Sequence, residues 1–410
     1  MELIFLNGGI LKFNSLLGLK INEDQDKGGA FFMKESRKGK KKKFGYLFLT
    51  FVMFISVLAA CSTGETTKVS SDEATKEDPI VIRLSSGLPA TNHVVKNVLE
   101  RWASEVEKKS EGRIKVEKFF GGSLHDSTES ITALKNDITD LTEVWAGYYP
   151  GQFEMSNIEY LPQMAPNAYV AALIGEELYA DYLKEEFETL GVQLAFMGAY
   201  SNKVFITKEP VRSLEDLKGM NIRAGNPIET KYLQALGATP VSLPSSEVYT
   251  GLERGMIGGA HYHISGGTSF RLFEVTDYVT LNGAEASSTL SFGFNPKTWK
   301  ELPSDLQKII YETNMDASMW VAESYENLDK EGLEAKEWEF ITLPDEEIQK
   351  INKISEKVHD EVISELEEKG YPAREYYDKY RELSEKYGKM SIEELLDYRN
   401  KNLTPMDELY

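Results

Sequence analysis

Residues 214–262 read LEDLKGMNIRAGNPIETKYLQALGATPVSLPSSEVYTGLERGMIGGAHY, and strand and helix patterns alternate within them. The strand predicted over 220–224 (MNIRA) places Met220, Ile222 and Ala224 on one face and Arg223 on the other. Three elements follow: a helix over 229–236, a strand over 240–243 and a helix from Ser245 or Ser246. Helix caps or helix-ending glycines mark their bounds. Short strands that alternate with such helices are typical of an α/β protein with mainly parallel sheets.

The same alternation continues upstream of this stretch, where apolar side chains in period two predict four further strands with helices between them. These strands lie at 79–86, 114–120, 141–146 and 192–197. Downstream the pattern changes, because residues 302–387 are mostly helical and include a long amphipathic helix over 345–369. The sequence therefore predicts an α/β protein with a helical C-terminal part.

Composition limits the classes of function that the chain can perform. Its 410 residues are enough for about two or three domains, and the 41% hydrophobic content supports a packed core. The formal net charge is −20, and the only dense basic run lies near the N-terminus at 37–43. Nucleic acid binding needs a basic face, so we exclude that partner. A single cysteine excludes an internal disulfide, a CxxC redox pair and a multi-thiolate metal site.

The N-terminal segment resembles an export signal. Residues 34–43 are strongly basic, residues 44–60 are almost wholly apolar, and Cys61 follows. The sequence LAAC at 58–61 resembles a bacterial lipobox, in which Cys61 is acylated and anchors the protein to the membrane. The alternative is a short transmembrane anchor, but 17 residues at about 1.5 Å each reach only ~26 Å across a ~30 Å hydrocarbon core.

Three segments follow from this interpretation. We expect residues 1–32 to be an unstructured, over-called start, because Met33 stands directly before the basic run of a signal peptide over 33–60. The polar residues 61–78 are expected to form a flexible tether. Removal of residues 1–60 leaves 36 basic and 61 acidic residues, a net charge of −25.

The usual enzyme motifs are missing from the sequence, which has no GxxxxGK[ST] loop, GxSxG elbow, HExxH helix or EF-hand loop. His261 and His263 stand two apart in a predicted strand, so both would face one way and could hold half of a metal site. The alternative is that they line a cleft or bond to the backbone. His93 and His125 lie in loops that follow strands, where ligands bind in α/β folds.

The stretch over 214–262 also carries a resemblance to a known family. Its motifs LEDLKG-x-x-IR, LGA-x-P and EVY-x-x-L-x-x-G resemble those of the DctP-type solute-binding proteins of tripartite ATP-independent periplasmic (TRAP) transporters. The segments EGRIKVEKFFGGSL at 111–124 and NPKTWKELPSDLQKII at 295–310 are similar to the same family. The resemblance implies an α/β, two-lobed periplasmic-binding-protein-like fold with a ligand cleft between the lobes and long C-terminal helices.

The resemblance also implies the division of the chain. Lobe I is expected over 79–202 plus about 278–300, and lobe II over 203–277. Residues 301–410 would form a helical part that packs across both lobes.

Arg223 is the leading candidate for ligand binding. An arginine on a strand of a covered sheet needs a partner or incurs a large desolvation cost. Its guanidinium is a rigid fork that grips a carboxylate with two parallel hydrogen bonds. The resemblance implies that Arg223 clamps a ligand carboxylate, and the alternative is an internal salt bridge to one of the many acidic residues.

The other candidates carry weaker arguments. Lys203 stands where family members often have a second basic residue, and its point charge suggests looser recognition of a second polar group. Trp145 ends the third predicted strand, and Tyr262 stands where the family has an asparagine. Three more candidate ligand-binding residues complete the set, namely Asn92, His93 and Asn226.

These features together predict an extracytoplasmic substrate-binding protein of a TRAP transporter. It would capture a small organic acid and deliver it to membrane permease subunits, without a cofactor, while lipidated Cys61 anchors it to the outer face of the cell membrane. Two alternatives stay open: an ABC-type or sensor-coupled solute-binding lipoprotein, and an exported metal-dependent hydrolase that uses His261 and His263. The sequence leaves open which carboxylate is bound.

Overall fold

The computed structural model describes residues 78–281 and 287–410. The expected upstream start at 1–32, the signal peptide at 33–60, Cys61 and the tether up to residue 77 lie outside the described residues. Within the described ranges, no helix combines the length and the hydropathy needed to cross a bilayer.

The described strands form two separate sheets. They are β1 (Ile80–Ser85), β2 (Ile114–Phe119), β3 (Leu141–Glu143), β4 (Gln193–Ala199), β5 (Lys203–Thr207), β6 (Asn221–Ala224), β7 (Thr239–Ser242), β8 (Gly259–His263), β9 (Tyr278–Leu281), β10 (Thr289–Phe294) and β11 (Glu339–Thr342). The first sheet has the order β2-β1-β3-β10-β4, and the second has the order β11-β9-β5-β8-β6-β7. We call the elements around these sheets the first and the second lobe.

Helices cover the sheets and join the lobes. They are α1 (Glu100–Lys109), α2 (Ser130–Lys135), α3 (Ala168–Leu178), α4 (Lys184–Thr189), α5 (Leu214–Leu217), α6 (Pro227–Ala235), α7 (Val248–Glu253), α8 (Ile264–Ser269), α9 (Pro296–Glu301), α10 (Ser304–Ala335), α11 (Asp345–Glu368), α12 (Ala373–Tyr387), α13 (Ile392–Lys401) and α14 (Met406–Leu409). The 32-residue helix α10 is about 48 Å long. It packs on β4, α1 and α3 of the first lobe and on α8 of the second.

Residues 214–262 form the elements that their helix caps predict. Asn226 accepts the Glu229 backbone N–H at 2.8 Å and so caps α6, with Pro227 at the first helical position. Gly237 follows the end of α6 with φ of +93°, a conformation that favours glycine. The predicted two-lobed α/β fold is confirmed, and its core contains the buried strand residues Ile222 and Ala224.

Several boundaries differ from the sequence prediction. Each sheet is parallel apart from one strand, β10 in the first and β5 in the second, because these strands carry the chain from one lobe into the other. The strand β9 pairs with β5 and β11 in the second sheet, so residues 278–281 belong to the second lobe rather than the first. The strand β11 interrupts the C-terminal part that was expected to be helical.

One strand is shorter than expected, and one helical run is irregular. β3 ends at Glu143 instead of residue 146, because the chain turns into a 3₁₀ segment over Ala146–Tyr148. The helical run that starts at α3 is interrupted by a π-helical turn over Tyr179–Leu183 before α4. Such turns insert one extra residue into the hydrogen-bond pattern, which hydrophobic periodicity does not reveal.

A buried carboxyl group joins three parts of the first lobe. Glu159 lies in the 3₁₀ segment Ser156–Tyr160, is fully buried, and accepts hydrogen bonds from the hydroxyls of Tyr376 on α12, at 2.6 Å, and of Thr289 on β10. Burial raises the pKa of Glu159 from 4.5 to about 7, while both hydrogen bonds act to lower it. The folded protein therefore holds a proton on this group at pH values where the unfolded chain has lost it.

This proton predicts a pH dependence of stability. Because the folded pKa is raised, the contribution of Glu159 is fully present below about pH 4.5 and is lost as the pH rises through about 7. Glu159→Gln mimics the protonated group, so from pH 5 to 8 the wild-type free energy of unfolding should fall by about 2 kcal/mol relative to this variant. Urea unfolding of both proteins at each pH measures the difference, and parallel curves would contradict the assignment.

Candidate functional site

A cavity lies between the two lobes beside the segment 200–202, where the chain passes from β4 to β5. The centre of a water-sized sphere can move through about 70 Å³ of this cavity, which is several times the roughly 10–15 Å³ that one water requires. The cavity therefore has room for a small organic molecule. All seven predicted ligand-binding residues line it, namely Asn92, His93, Trp145, Lys203, Arg223, Asn226 and Tyr262.

Arg223 places an almost completely buried guanidinium at this cavity. The residue is 3% exposed, and its Nε donates to the Leu243 carbonyl at 3.0 Å. The guanidinium carbon lies 5.0 Å from the centre of the Tyr262 ring, within the range of a cation–π interaction. Among residues 78–281 and 287–410, no carboxylate oxygen lies within 4.0 Å of this guanidinium. Within these ranges Arg223 therefore does not form the internal salt bridge that the sequence left open.

Gly225 allows the guanidinium to lie against the backbone. A Cβ atom at this position would stand 2.7 Å from both terminal nitrogens of Arg223 and 2.9 Å from its central carbon. A side chain at position 225 would therefore displace the guanidinium from its place at the cavity wall.

Lys203 also lines the cavity, but its ammonium group already has a partner inside the protein. Its Nζ contacts a carboxylate oxygen of Glu229, and the two side chains are 6% and 2% exposed. The other Glu229 oxygen accepts the Gly225 backbone N–H at 2.7 Å and lies 3.8 Å from His261 Nδ1. Burial, followed by the charge of Arg223, lowers the pKa of Lys203, and the Glu229 carboxylate in contact with the ammonium opposes that shift. The sequence predicts that Lys203 binds a second polar group of the ligand, but in the structure its ammonium is already paired with Glu229.

The cavity histidines are held neutral by their surroundings. Burial lowers the pKa of His93 to about 4, and its Nδ1 lies 2.8 Å from the Ser324 hydroxyl. Burial, followed by the charge of Lys203, lowers the pKa of His263 well below its ordinary value. Because His263 Nδ1 accepts the Gly266 backbone N–H at 2.7 Å, its proton sits on Nε2.

The weak metal candidates do not form one site. His263 lines the cavity, whereas His261 lies outside its lining and packs beside the rings of Phe205 and Tyr232. In the part of the chain that the structure describes, no three His, Cys, Asp or Glu side chains are placed to hold a metal ion. His125 lies away from the cavity lining and is 2.7 Å from the Ser85 hydroxyl.

Aromatic rings make up much of the remaining wall. They come from both lobes, from the segment 200–202 and from α10. The rings that are not among the predicted ligand-binding residues belong to Tyr148, Tyr160, Tyr200, Phe270 and Tyr325. Sequence patterns cannot separate such rings from ordinary core aromatics. Trp145 stands out, because its indole N–H is buried and has no hydrogen-bond partner among the described residues. Buried polar groups are normally paired, so this N–H is suited to an acceptor on a bound molecule.

The two lobes touch directly through residues that line the cavity. The Tyr148 hydroxyl in the first lobe lies 3.3 Å from the Ser245 hydroxyl in the second and accepts the Ser245 backbone N–H at 3.4 Å. Gly147 approaches Asn226 so closely that a Cβ on the glycine would lie 2.8 Å from the Asn226 Cβ. The structure is therefore that of a closed cleft.

Comparisons with known proteins agree with this architecture. The C4-dicarboxylate-binding protein DctB of Bacillus subtilis (strain 168) is 26% identical over 339 residues, which cover 80% of this chain and 89% of that protein. A TRAP solute binding protein from Rhodoferax ferrireducens T118, crystallised in complex with copurified benzoate, matches with a TM-score of 0.70 at 24% identity. That match covers 76% of this chain and 99% of the other.

A second solved structure has the same fold. It is a TRAP periplasmic solute binding protein from Bordetella bronchiseptica with bound (R)-mandelate and (S)-mandelate, with a TM-score of 0.69 and 24% identity over 75% of this chain and 99% of the other. The family model named DctP, bacterial extracellular solute-binding protein, family 7, matches residues 84–366, well over half of the sequence. The chain therefore belongs to the family 7 bacterial extracellular solute-binding proteins and functions as a solute-binding protein outside the cytoplasm.

Proposed function

We propose that the protein captures a small organic acid by its carboxylate and delivers it to the membrane permease of a TRAP transporter. The observation that carries this proposal is the guanidinium of Arg223, which is buried at the cavity without a carboxylate partner among the described residues. Burial of an unmatched cation is costly, and a ligand carboxylate supplies the missing charge and two acceptor oxygens.

The solved relatives support an acidic ligand. Benzoate and mandelate, which are bound in the two structures described above, each carry one carboxylate and one aromatic ring. The cavity of this chain offers a guanidinium for the first of these groups and an aromatic wall for the second. The buried Trp145 N–H supports a further polar acceptor on the ligand.

The two-lobed architecture supports capture by closure. Arg223 and Tyr262 lie on the second lobe, whereas Trp145 and Asn92 lie on the first, so a ligand that contacts both groups favours the closed form by its differential affinity. We propose binding without turnover, because the family to which the chain belongs consists of solute-binding proteins. The closed form is the one that we propose to dock on the permease.

We also propose that acylated Cys61 anchors the protein to the outer face of the membrane. The lipobox-like sequence at 58–61 supports this proposal. Metabolic labelling with a clickable fatty acid in a bacterial host tests it, since Cys61→Ala should lose the label and leave the membrane fraction.

A thermal-shift screen of matched acids and amides tests the ligand class. Benzoate, mandelate and aliphatic carboxylates are each compared with the corresponding primary amide, which keeps the shape and removes the charge. A ligand at 100 times its Kd stabilises the folded state by about 2.7 kcal/mol, so a binding acid should raise the Tm by several degrees. Equal shifts from an acid and its amide, or no shift from any carboxylate, would contradict the proposal.

A further inference from the structure

We infer that Glu229 is a specificity-determining residue that restricts the site to ligands with a single carboxylate, by neutralising Lys203. The inference rests on the proposed function, since it concerns which acids the Arg223 site accepts. Among the described residues that line the cavity, Lys203 and Arg223 carry the lysine and arginine side chains, and of these two Arg223 is the one without an acidic partner.

The Lys203–Glu229 pair is built into the second lobe by several elements. Lys203 begins β5, and Glu229 lies in the first turn of α6, whose backbone dipole favours a carboxylate. One Glu229 oxygen contacts the ammonium, and the other accepts the Gly225 N–H at 2.7 Å. The carboxylate is therefore held in place independently of Lys203, so the pair cannot separate by a simple rotation of Glu229.

The charge count of the cavity follows from this pair. Lys203 is matched by Glu229, and His93 and His263 are neutral. Among the described lining residues this leaves Arg223 as the cation without an acidic partner. One ligand carboxylate balances the site, and a neutral polar group on the ligand can accept the Trp145 N–H.

A second ligand carboxylate would have no unpaired cation to bind among the described lining residues. Without a cation it would be a buried, unpaired charge. If it drew Lys203 to itself, the Glu229 carboxylate, which is 2% exposed, would lose its ammonium partner. Both outcomes oppose the binding of a diacid, although the lining contains two basic side chains.

Isothermal titration with isosteric ligand pairs measures this selectivity. 3-Nitrobenzoate and isophthalate share one shape and differ by one carboxylate, as do succinamate and succinate. We expect the wild-type protein to bind the monoacid of at least one pair and to bind its diacid at least about 100-fold more weakly. Glu229→Gln keeps the size and an acceptor oxygen for Gly225, removes the charge, and should reduce this ratio at least tenfold.

Two control variants separate charge from structural damage. The double variant Lys203→Met with Glu229→Gln lacks the freed ammonium, so it should keep the wild-type preference for the monoacid. Glu176→Gln weakens a different buried pair, which lies outside the cavity lining and in which Arg399 Nε donates to Glu176 at 2.6 Å. It should lower stability without changing the ligand ratio.

The outcomes distinguish the inference from the proposed function. Failure of every monoacid and diacid to bind the wild-type protein would overturn the proposed function and the inference with it. Binding of a monoacid with an unchanged ratio in Glu229→Gln, or tight binding of the matching diacid by the wild-type protein, would overturn the inference alone. If the preference for the monoacid fell in Glu229→Gln and also in the double variant, Glu229 would act through packing rather than through its charge. That result would overturn the inference as well.

Discussion

Replacement of Arg223 by alanine is expected to weaken binding of a carboxylate ligand by roughly 30- to 5,000-fold, because truncation of one partner of a buried, hydrogen-bonded charge pair costs about 2–5 kcal/mol. The ligand carboxylate would then be buried against Tyr262 without a cation. Isothermal titration with an acid that binds the wild-type protein measures the loss.

The fold should survive this substitution. The guanidinium makes one hydrogen bond to the protein among the described residues, from Nε to the Leu243 carbonyl. We expect the unliganded variant to keep its free energy of unfolding within about 1 kcal/mol. Arg212→Ala is the matched control, since Arg212 lies on the surface in an ion pair with Glu339. If Arg223→Ala kept the wild-type affinity, the proposal that Arg223 binds the ligand carboxylate would be wrong.

Substitution of Gly147 by valine should weaken ligand binding by roughly 5- to 150-fold, because the added atoms wedge the lobes apart. The glycine Cα faces Asn226 across the cleft, and a Cβ would come within 2.8 Å of the Asn226 Cβ. Overpacking of this kind costs about 1–3 kcal/mol, and it is incurred only when the cleft closes. Ligand titration and small-angle X-ray scattering of the liganded protein together measure affinity and closure.

A compensating substitution tests whether the wedge is the cause. Asn226→Gly removes the opposing Cβ, and glycine replaces asparagine at a helix N-cap at a cost of only a few tenths of a kcal/mol. In a double-mutant cycle, Gly147→Ala should therefore cost much less in the Asn226→Gly background than in the wild type. Equal losses in both backgrounds would show that Gly147 acts by some route other than contact with Asn226.

Arg223 illustrates what local pattern predicts well. The strand MNIRA has period-two alternation, and an arginine within a covered sheet needs an anionic partner wherever the rest of the chain lies. In the structure Arg223 is buried and lines the cavity. The role in ligand binding stays a proposal, as it does for the other six candidates.

Glu229 illustrates what local pattern does not predict. It is one of 66 acidic residues, and nothing in its neighbourhood distinguishes it from a solvent-exposed glutamate in the first turn of a helix. Only the pairing of β5 with β8, and of β8 with β6, brings Lys203 beside it. From sequence alone, Lys203 is therefore predicted to be available to a ligand.

The lobe boundaries and the aromatic wall were missed for the same reason. Nothing near residues 278–281 indicates that β9 joins the second sheet, and Tyr325 reaches the cavity from a helix that begins at residue 304. Element type, helix caps, the family and the candidate guanidinium of Arg223 depend on residues within a few positions of one another, so they are readable from the chain alone. The charge balance of the cavity and the contact between the lobes depend on residues far apart in sequence, whose approach is decided by the packing of the whole molecule.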